Sequence, residues 1–305
     1  MRYLPTIQQI RVFNEVIRCG SIRAAARNIH QSQPALTHAL KDLEHHLGAT
    51  LLIRSNDGVT LTEAGKSFSI RAHLILAEIK KASEEIELIT KNSYGRVAFG
   101  ISSLFGVTIL SEVINAFKKE HSKTLITIKE AQLSTLLPGL RDGRLDFALG
   151  SLTEDMPLGD FVIEPLFDAP FCIAARKNHP FMHGTSLKEL SLAKWIMPET
   201  DMGYYHYIRQ RLPFNHPGNS NAPVLTDSVV CIMHLLMNED YLTILARARL
   251  NTPEFRPVLS PLPVEENLLP LSHYGLIFPR KSPLTPAARE LIDIFKWHCE
   301  QYVWG

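Results

Sequence analysis

The 305-residue sequence predicts an α/β chain in three parts: a small helical head, one long helix, and a larger half in which strands and helices alternate. Three observations carry this. Residues 1–61 hold three short helix-period segments followed by two short strand segments. Residues 62–92 carry an unbroken heptad stripe. From Arg96 onward, short β-rich runs alternate with helix-period runs.

The length exceeds what one core comfortably serves, and the 45% apolar and 21% charged shares are those of an ordinary globular protein. No apolar run reaches the roughly 18 residues of a membrane-spanning helix. The opening MRYLPTIQQI turns polar too early for a secretory leader, so a cytoplasmic chain is expected, with no membrane partner. Cys19, Cys172, Cys231 and Cys299 are far apart and form no CxxC pair, which fits a reducing compartment without disulfides or zinc. The net charge of +1 hides an asymmetry. Residues 1–92 hold 12 Lys and Arg against 9 Asp and Glu, whereas the remainder holds 20 against 22. A head with so small an excess binds nucleic acid weakly by itself and gains from doubling its contacts through a second copy.

Within the head, Ile10, Phe13, Val16 and Ile17 share one helix face, and Gly20 ends that helix. Ser21 is placed to cap a second helix, whose Ala24-Ala25-Ala26 run permits close helix approach. Ser32 caps a third, with Pro34 in its first turn, where a missing N–H costs nothing. That third helix divides into an apolar face of Ala35, Leu36, Ala39, Leu40, Leu43 and Leu47 and a polar face of Gln33, Thr37, His38, Lys41 and His45. Short polar donors with one lysine suit the major groove of duplex DNA. The DNA-facing set is therefore Ser21, Arg23, Ser32, Gln33, Pro34, Thr37, His38 and Lys41. Residues 50–54 and 59–61 then form a hairpin around Asn56-Asp57-Gly58, a wing whose Arg54 is placed for a phosphate or the minor groove.

The segment 20–65 resembles the winged helix-turn-helix of LysR-type transcriptional regulators. The likeness lies in Gly20-Ser21, Ala25-Ala26, Ser32-Gln33-Pro34-Ala35, Leu43-Glu44, Leu47-Gly48, Arg54 and Leu61-Thr62-x-Ala64-Gly65. Leu52 stands where that family usually has Phe, and Asp57 where a basic residue is common. The resemblance implies double-stranded promoter DNA, a small-molecule effector and RNA polymerase as partners. It also implies an effector domain of two lobes, similar to periplasmic binding proteins, with lobe closure carried to the heads.

In the long helix, Phe68, Ala72, Ile75, Ile79, Ala82, Ile86 and Ile89 recur with gaps of 4, 3, 4, 3, 4 and 3. Such a stripe predicts pairing with a second helix. The resemblance implies the same, a homodimer through this helix and a homotetramer through the effector domains. Asn92-Ser93-Tyr94-Gly95 is the expected hinge, so the divisions are 1–61, 62–92 and 93–305. The last is read as lobe one (about 93–162 and 267–305) and lobe two (about 163–266).

The alternation after Arg96 predicts largely parallel sheets, with ligands beyond the carboxyl ends of the strands. That rule selects Ser102, Ser103, Gln132, Ser134, Thr200, Tyr204, Thr226 and Ser228 as effector-binding candidates. Hydroxyls near helix starts favour an anion, expected to be a carboxylate metabolite. Asp227 would oppose an anion in the cleft but would suit an ammonium group. Each of these Ser and Thr residues also has a plain alternative as a helix cap. Residues 130–150 and Met202-Gly203-Tyr204-Tyr205 further resemble one subgroup of the family, the activators of anaerobic threonine and serine degradation.

No G-x-S-x-G, Walker A or G-x-G-x-x-G motif occurs, so no catalytic residues and no cofactor are expected. His179 and His183 are four apart, but Pro180 breaks the helix a metal pair would need. The alternatives, a solute-binding module or an α/β enzyme without DNA activity, leave the winged head unexplained.

Overall fold

The structure, a computed structural model, describes residues 4–55, 58–91, 95–184, 186–211, 221–264 and 269–305. The expected turn residues Asn56 and Asp57, the hinge residues Asn92, Ser93 and Tyr94, and the Ile89 side chain lie outside the described residues. The chain divides into two compact units that meet in sequence at Ser93–Tyr94.

In the first unit, α1 (Ile7–Cys19) starts from a Thr6–Gln9 capping box and stops at Gly20, which sits at φ 63°. Ser21 caps α2 (Ile22–Asn28), and Ser32 caps α3 (Gln33–Leu47) with Pro34 in its first turn. Phe13, Val16, Ala25, Leu36, Leu40 and Leu43 are fully buried where the three helices meet. Ala35, expected inward, is exposed, because the first turn of α3 extends beyond that core. Strands β1 (Leu52–Ser55) and β2 (Gly58–Leu61) pair antiparallel, Arg54 opposite Val59. The Val59 N–H donates to the Gly20 carbonyl at 2.9 Å, fastening the wing to the turn after α1. A Cβ at Gly58 would lie 2.7 Å from that carbonyl oxygen, so position 58 requires glycine.

Thr62 caps α4 (Glu63–Lys91) by accepting the Gly65 N–H at 2.9 Å. Its apolar stripe corrects the sequence reading. Phe68 and Ala72 are not free for a partner: Phe68 packs edge-on against Phe13 at 5.1 Å and Ala72 is fully buried, both in the head core. Ile75, Ile79 and Ile86 remain 41%, 37% and 59% exposed, and Ala82 is exposed as well. A straight helix drifts ~20° per heptad, so one stripe can serve the head in its first turns and turn outward later.

The second unit holds two five-stranded sheets. The first contains β3 (Arg96–Ile101), β4 (Leu125–Glu130), β5 (Phe147–Leu152), β6 (Phe161–Ala169) and β12 (Ser272–Pro279), in the order β4-β3-β5-β12-β6. The second contains β7 (Phe171–Arg176), β8 (Lys194–Pro198), β9 (Val224–Thr226), β10 (Tyr241–Ala246) and β11 (Leu259–Pro261), in the order β11-β7-β10-β8-β9. The sheets are mixed rather than largely parallel. β3 runs parallel to both neighbours and β8 likewise, but β12 and β7 run antiparallel to theirs.

The crossover corrects the expected lobe boundary. β6 stays paired with β12 through Ala169, so the chain changes sheets at Pro170, and residue 162 falls inside a strand. Between β3 and β4 stand two helices, α5 (Ser103–Val107) and α6 (Leu110–Glu120), separated by Thr108 at non-helical φ −109°, ψ −82°. The other helices are α7 (Leu133–Arg141), α8 (Leu187–Leu190), α9 (Tyr204–Arg209), α10 (Val229–Asn238), α11 (Arg247–Leu250) and α12 (Pro286–Gln301). One buried cluster runs through both lobes, from Phe99, Phe147 and Phe295 through Phe105 and Tyr274 to Phe171, Tyr204 and Trp195.

Candidate functional site

On the head, α3 presents Gln33, Pro34, His38 and Lys41 to solvent, with exposed Ser32 at its start and exposed Arg23 on α2. Thr37 is half-buried and its hydroxyl donates back to the Gln33 carbonyl at 2.9 Å. His38 Nδ1 lies 2.8 Å from an Asp42 carboxylate oxygen. Ser21 and Ser32 both accept N–H groups of their own helices, from Ala24 and Ala35. Glu44 joins the reading helix to the wing: its Oε1 accepts the Leu51 and Leu52 N–H groups, and its Oε2 lies 3.6 Å from Arg54 Nη2. Thus the wing cation lies beside the same helix that carries the exposed polar side chains Gln33, His38 and Lys41.

In the second unit, a cavity of about 220 Å³ opens where strands of both sheets end. Ser103 and Gln132 line it, as the strand-end rule expects. The other six candidates do not. Ser102 is buried and absent from the lining, its hydroxyl without a hydrogen bond of ordinary geometry. Thr135 takes the wall position expected of Ser134, because side chains on a helix turn by about 100° per residue. Thr200 is spent on its own turn, donating to the Met202 carbonyl at 2.7 Å. Tyr204 is buried on Phe171 and donates to the Pro270 carbonyl at 2.8 Å, leaving Tyr205 to face the cavity. Thr226 accepts the Ser228 N–H, and Ser228 caps α10 by accepting the Cys231 N–H. Of these, Ser228 is the helix cap of the alternative reading, whereas Thr200 and Thr226 are held within turns.

Charge enters the cavity from residues the strand-end rule passed over. Arg249, on α11 just after β10, lines it while only 4% exposed. Burial pulls its pKa below the ordinary arginine value, opposed by Tyr205, Tyr274 and Glu130 nearby. Its guanidinium has no hydrogen bond or ion pair among the described residues. The Thr243 hydroxyl on β10 is fully buried, faces the same cavity, and is likewise unpartnered. Glu130, Glu199 and Asp227, all exposed, stand at the rim. The signal for Arg249 was a cation three residues past the apolar strand 241–246, set between the apolar Ala248 and Leu250, both buried. A buried guanidinium with a buried hydroxyl is a receptor for a planar anion.

A winged reading helix in one unit and a two-lobed α/β unit with a polar cavity at its strand ends define a ligand-responsive DNA-binding regulator. Residues 7–66 match the bacterial regulatory helix-turn-helix proteins of the lysR family, and residues 91–300 match the LysR substrate binding domain. The chain belongs to the LysR family of transcriptional regulators. It is 39% identical to the HTH-type transcriptional regulator TdcA of Escherichia coli K12 over 293 residues, 96% of this chain and 93% of that protein. Among solved structures it is similar to ArgP from Mycobacterium tuberculosis (TM-score 0.73, 16% identity, 99% of this chain and 100% of that one). A full-length OxyR variant from Pseudomonas aeruginosa is similar as well (TM-score 0.66, 20% identity, 98% and 95%). At those identities the structural likeness carries the fold alone.

Proposed function

We propose that this regulator acts in the cytoplasm, without enzymatic activity, as a homodimer or homotetramer on a pseudo-palindromic promoter duplex, and that it answers to a small carboxylate held by Arg249. The unpartnered Arg249, 4% exposed and facing the cavity, carries the effector reading. A buried cation with no carboxylate in ion-pair contact is costly, and a ligand carboxylate bound by that guanidinium and the Thr243 hydroxyl offsets the cost. Residues 1–61 read DNA, 62–92 couple two copies, and 93–305 sense the effector. Gln33, Thr37 and His38 read base edges, while Ser21, Arg23, Ser32, Pro34, Lys41 and Arg54 set the register on the backbone. The two-fold relation of a dimer supplies the paired half-sites, and RNA polymerase is the partner through which occupancy alters transcription.

Because one apolar cluster runs through both lobes, effector binding adjusts packed side chains rather than swinging the lobes widely apart. The test is to footprint the full chain on its own promoter with and without small carboxylates. Arg249→Gln should keep basal protection and lose the carboxylate-induced change. A variant that responds as the unaltered protein does would refute the anchor.

A further inference from the structure

The cavity is unevenly charged. At its floor stand one guanidinium, Arg249, and the Thr243 hydroxyl; at its rim stand three carboxylates, Glu130, Glu199 and Asp227. None of the three carboxylates has a side-chain hydrogen bond or ion pair among the described residues. A plain monoanion reaching Arg249 must pass and then sit below this rim, and a dicarboxylate would press its second charge against it. An amine alone would meet the rim but leave the Arg249 guanidinium and Thr243 hydroxyl unpaired. The ligand that suits both ends carries one negative and one positive group a few bonds apart.

Size and walls narrow it further. A cavity of about 220 Å³ lies below the usual range for drug-sized ligands, so a small ligand fits. Val229, Ile232, Ile244 and Leu245 supply an apolar wall for a short side chain.

Resting on the carboxylate anchor proposed above, we infer that the effector is a small α-amino acid, its carboxylate on Arg249 and Thr243 and its ammonium among Glu130, Glu199 and Asp227. The carboxylate enters first and the ammonium closes the mouth. Arg249 sets affinity for every carboxylate, and the rim acids set preference for the amino group.

Calorimetric titration of the full-length protein tests this with matched sets: L-alanine, L-serine and L-valine, their des-amino carboxylates, their decarboxylated amines, succinate and L-phenylalanine. At least one of the three small amino acids should bind at least about tenfold tighter than its des-amino and decarboxylated counterparts, succinate and L-phenylalanine. Asp227→Asn and Glu130→Gln should each reduce that preference to about threefold or less, with the des-amino carboxylate unaffected or bound more tightly. Arg249→Lys should weaken all carboxylates, and unliganded thermal unfolding confirms that each variant is folded. Des-amino carboxylates that bind as tightly as the amino acids would overturn this inference while leaving the Arg249 anchor intact. Binding by amines but by no carboxylate would overturn both, as would no binding by any member.

Discussion

Glu44 accepts the backbone N–H of Leu51 at 2.8 Å, so the carboxylate of the reading helix is also what positions the first residues of the wing. The same oxygen takes the Leu52 N–H at 3.1 Å. Charge-assisted bonds to a half-buried carboxylate are among the stronger local ones. Replacing Glu44 by Ala should destabilise the head by about 2 kcal/mol and loosen the wing on DNA, whereas Gln should retain part of both. Denaturant unfolding of the two variants reads the difference. A loss below about 0.5 kcal/mol in Glu44→Ala would show that the strap is ornamental.

Arg54 lies at the other oxygen of Glu44, at 3.6 Å and with its side chain 34% exposed. Arg54→Ala should therefore weaken binding across all duplex sequences and lower the salt slope by about one. Salt titrations on specific and random duplexes check this. Loss confined to the specific duplex would mean that Arg54 reads bases instead.

The apolar face of α4 that remains outside the head core is Ile75, Ile79, Ala82 and Ile86. An Asp at Ile79 would bury an unpaired charge in a helix–helix seam, a cost of several kcal/mol. Sedimentation of Ile79→Asp should show monomers with a folded head. Ala72→Asp, fully buried in the head core, should instead unfold that unit. Dimers of Ile79→Asp as tight as those of the unaltered chain would exclude this seam.

Glu15 ties α1 to α2, accepting hydrogen bonds from Arg18 and Asn28. Chiefly through the Arg18 hydrogen bond, its pKa is lowered from 4.5 to about 2. A depressed carboxylate contributes stability that is fully present above its unfolded value and is lost as protons bind on the way down to the folded one. The stability gap between the unaltered chain and Glu15→Gln should therefore be constant near neutral pH and shrink between pH 4.5 and about 2. Urea midpoints across that window decide it, and a gap independent of pH would contradict the assignment.

Ser228 separates a cap from a ligand. Its hydroxyl accepts the Cys231 N–H at 3.3 Å and does not line the cavity. Ser228→Ala should cost about 1 kcal/mol of stability and leave effector affinity within about twofold. An affinity loss exceeding tenfold in a folded Ser228→Ala would return this hydroxyl to the binding site.

How much was legible in advance varies sharply along the chain. The helices of the head, their caps at Ser21 and Ser32, and a hairpin carrying Arg54 coincide with the sequence reading. Strands β8 and β11 escaped it. Lys194–Pro198 is too short and too continuously apolar to show any period, and Leu259–Pro261 spans only three residues. The long stripe of α4 was read with the right spacing, but nothing in the spacing tells which members face the head and which face outward.

Sequence alone determined what depends on neighbours along the chain: where helices start and stop, which face is apolar, and which strand ends precede helices. Caps, turns and periodicity act over three or four residues, so the residues that make them are adjacent in the text. The composition of the cavity was decided only by tertiary structure. Hydroxyls at Thr200, Thr226 and Ser228 looked available because their local hydrogen bonds are invisible in a list of letters, and folding consumed them. Arg249, Thr243, Glu130, Glu199 and Asp227 come from five separate places along the chain: a helix, the middle of one strand, the end of another, and two turns after strands. Their convergence depends on side-chain direction across two sheets, a relation no short-range rule contains.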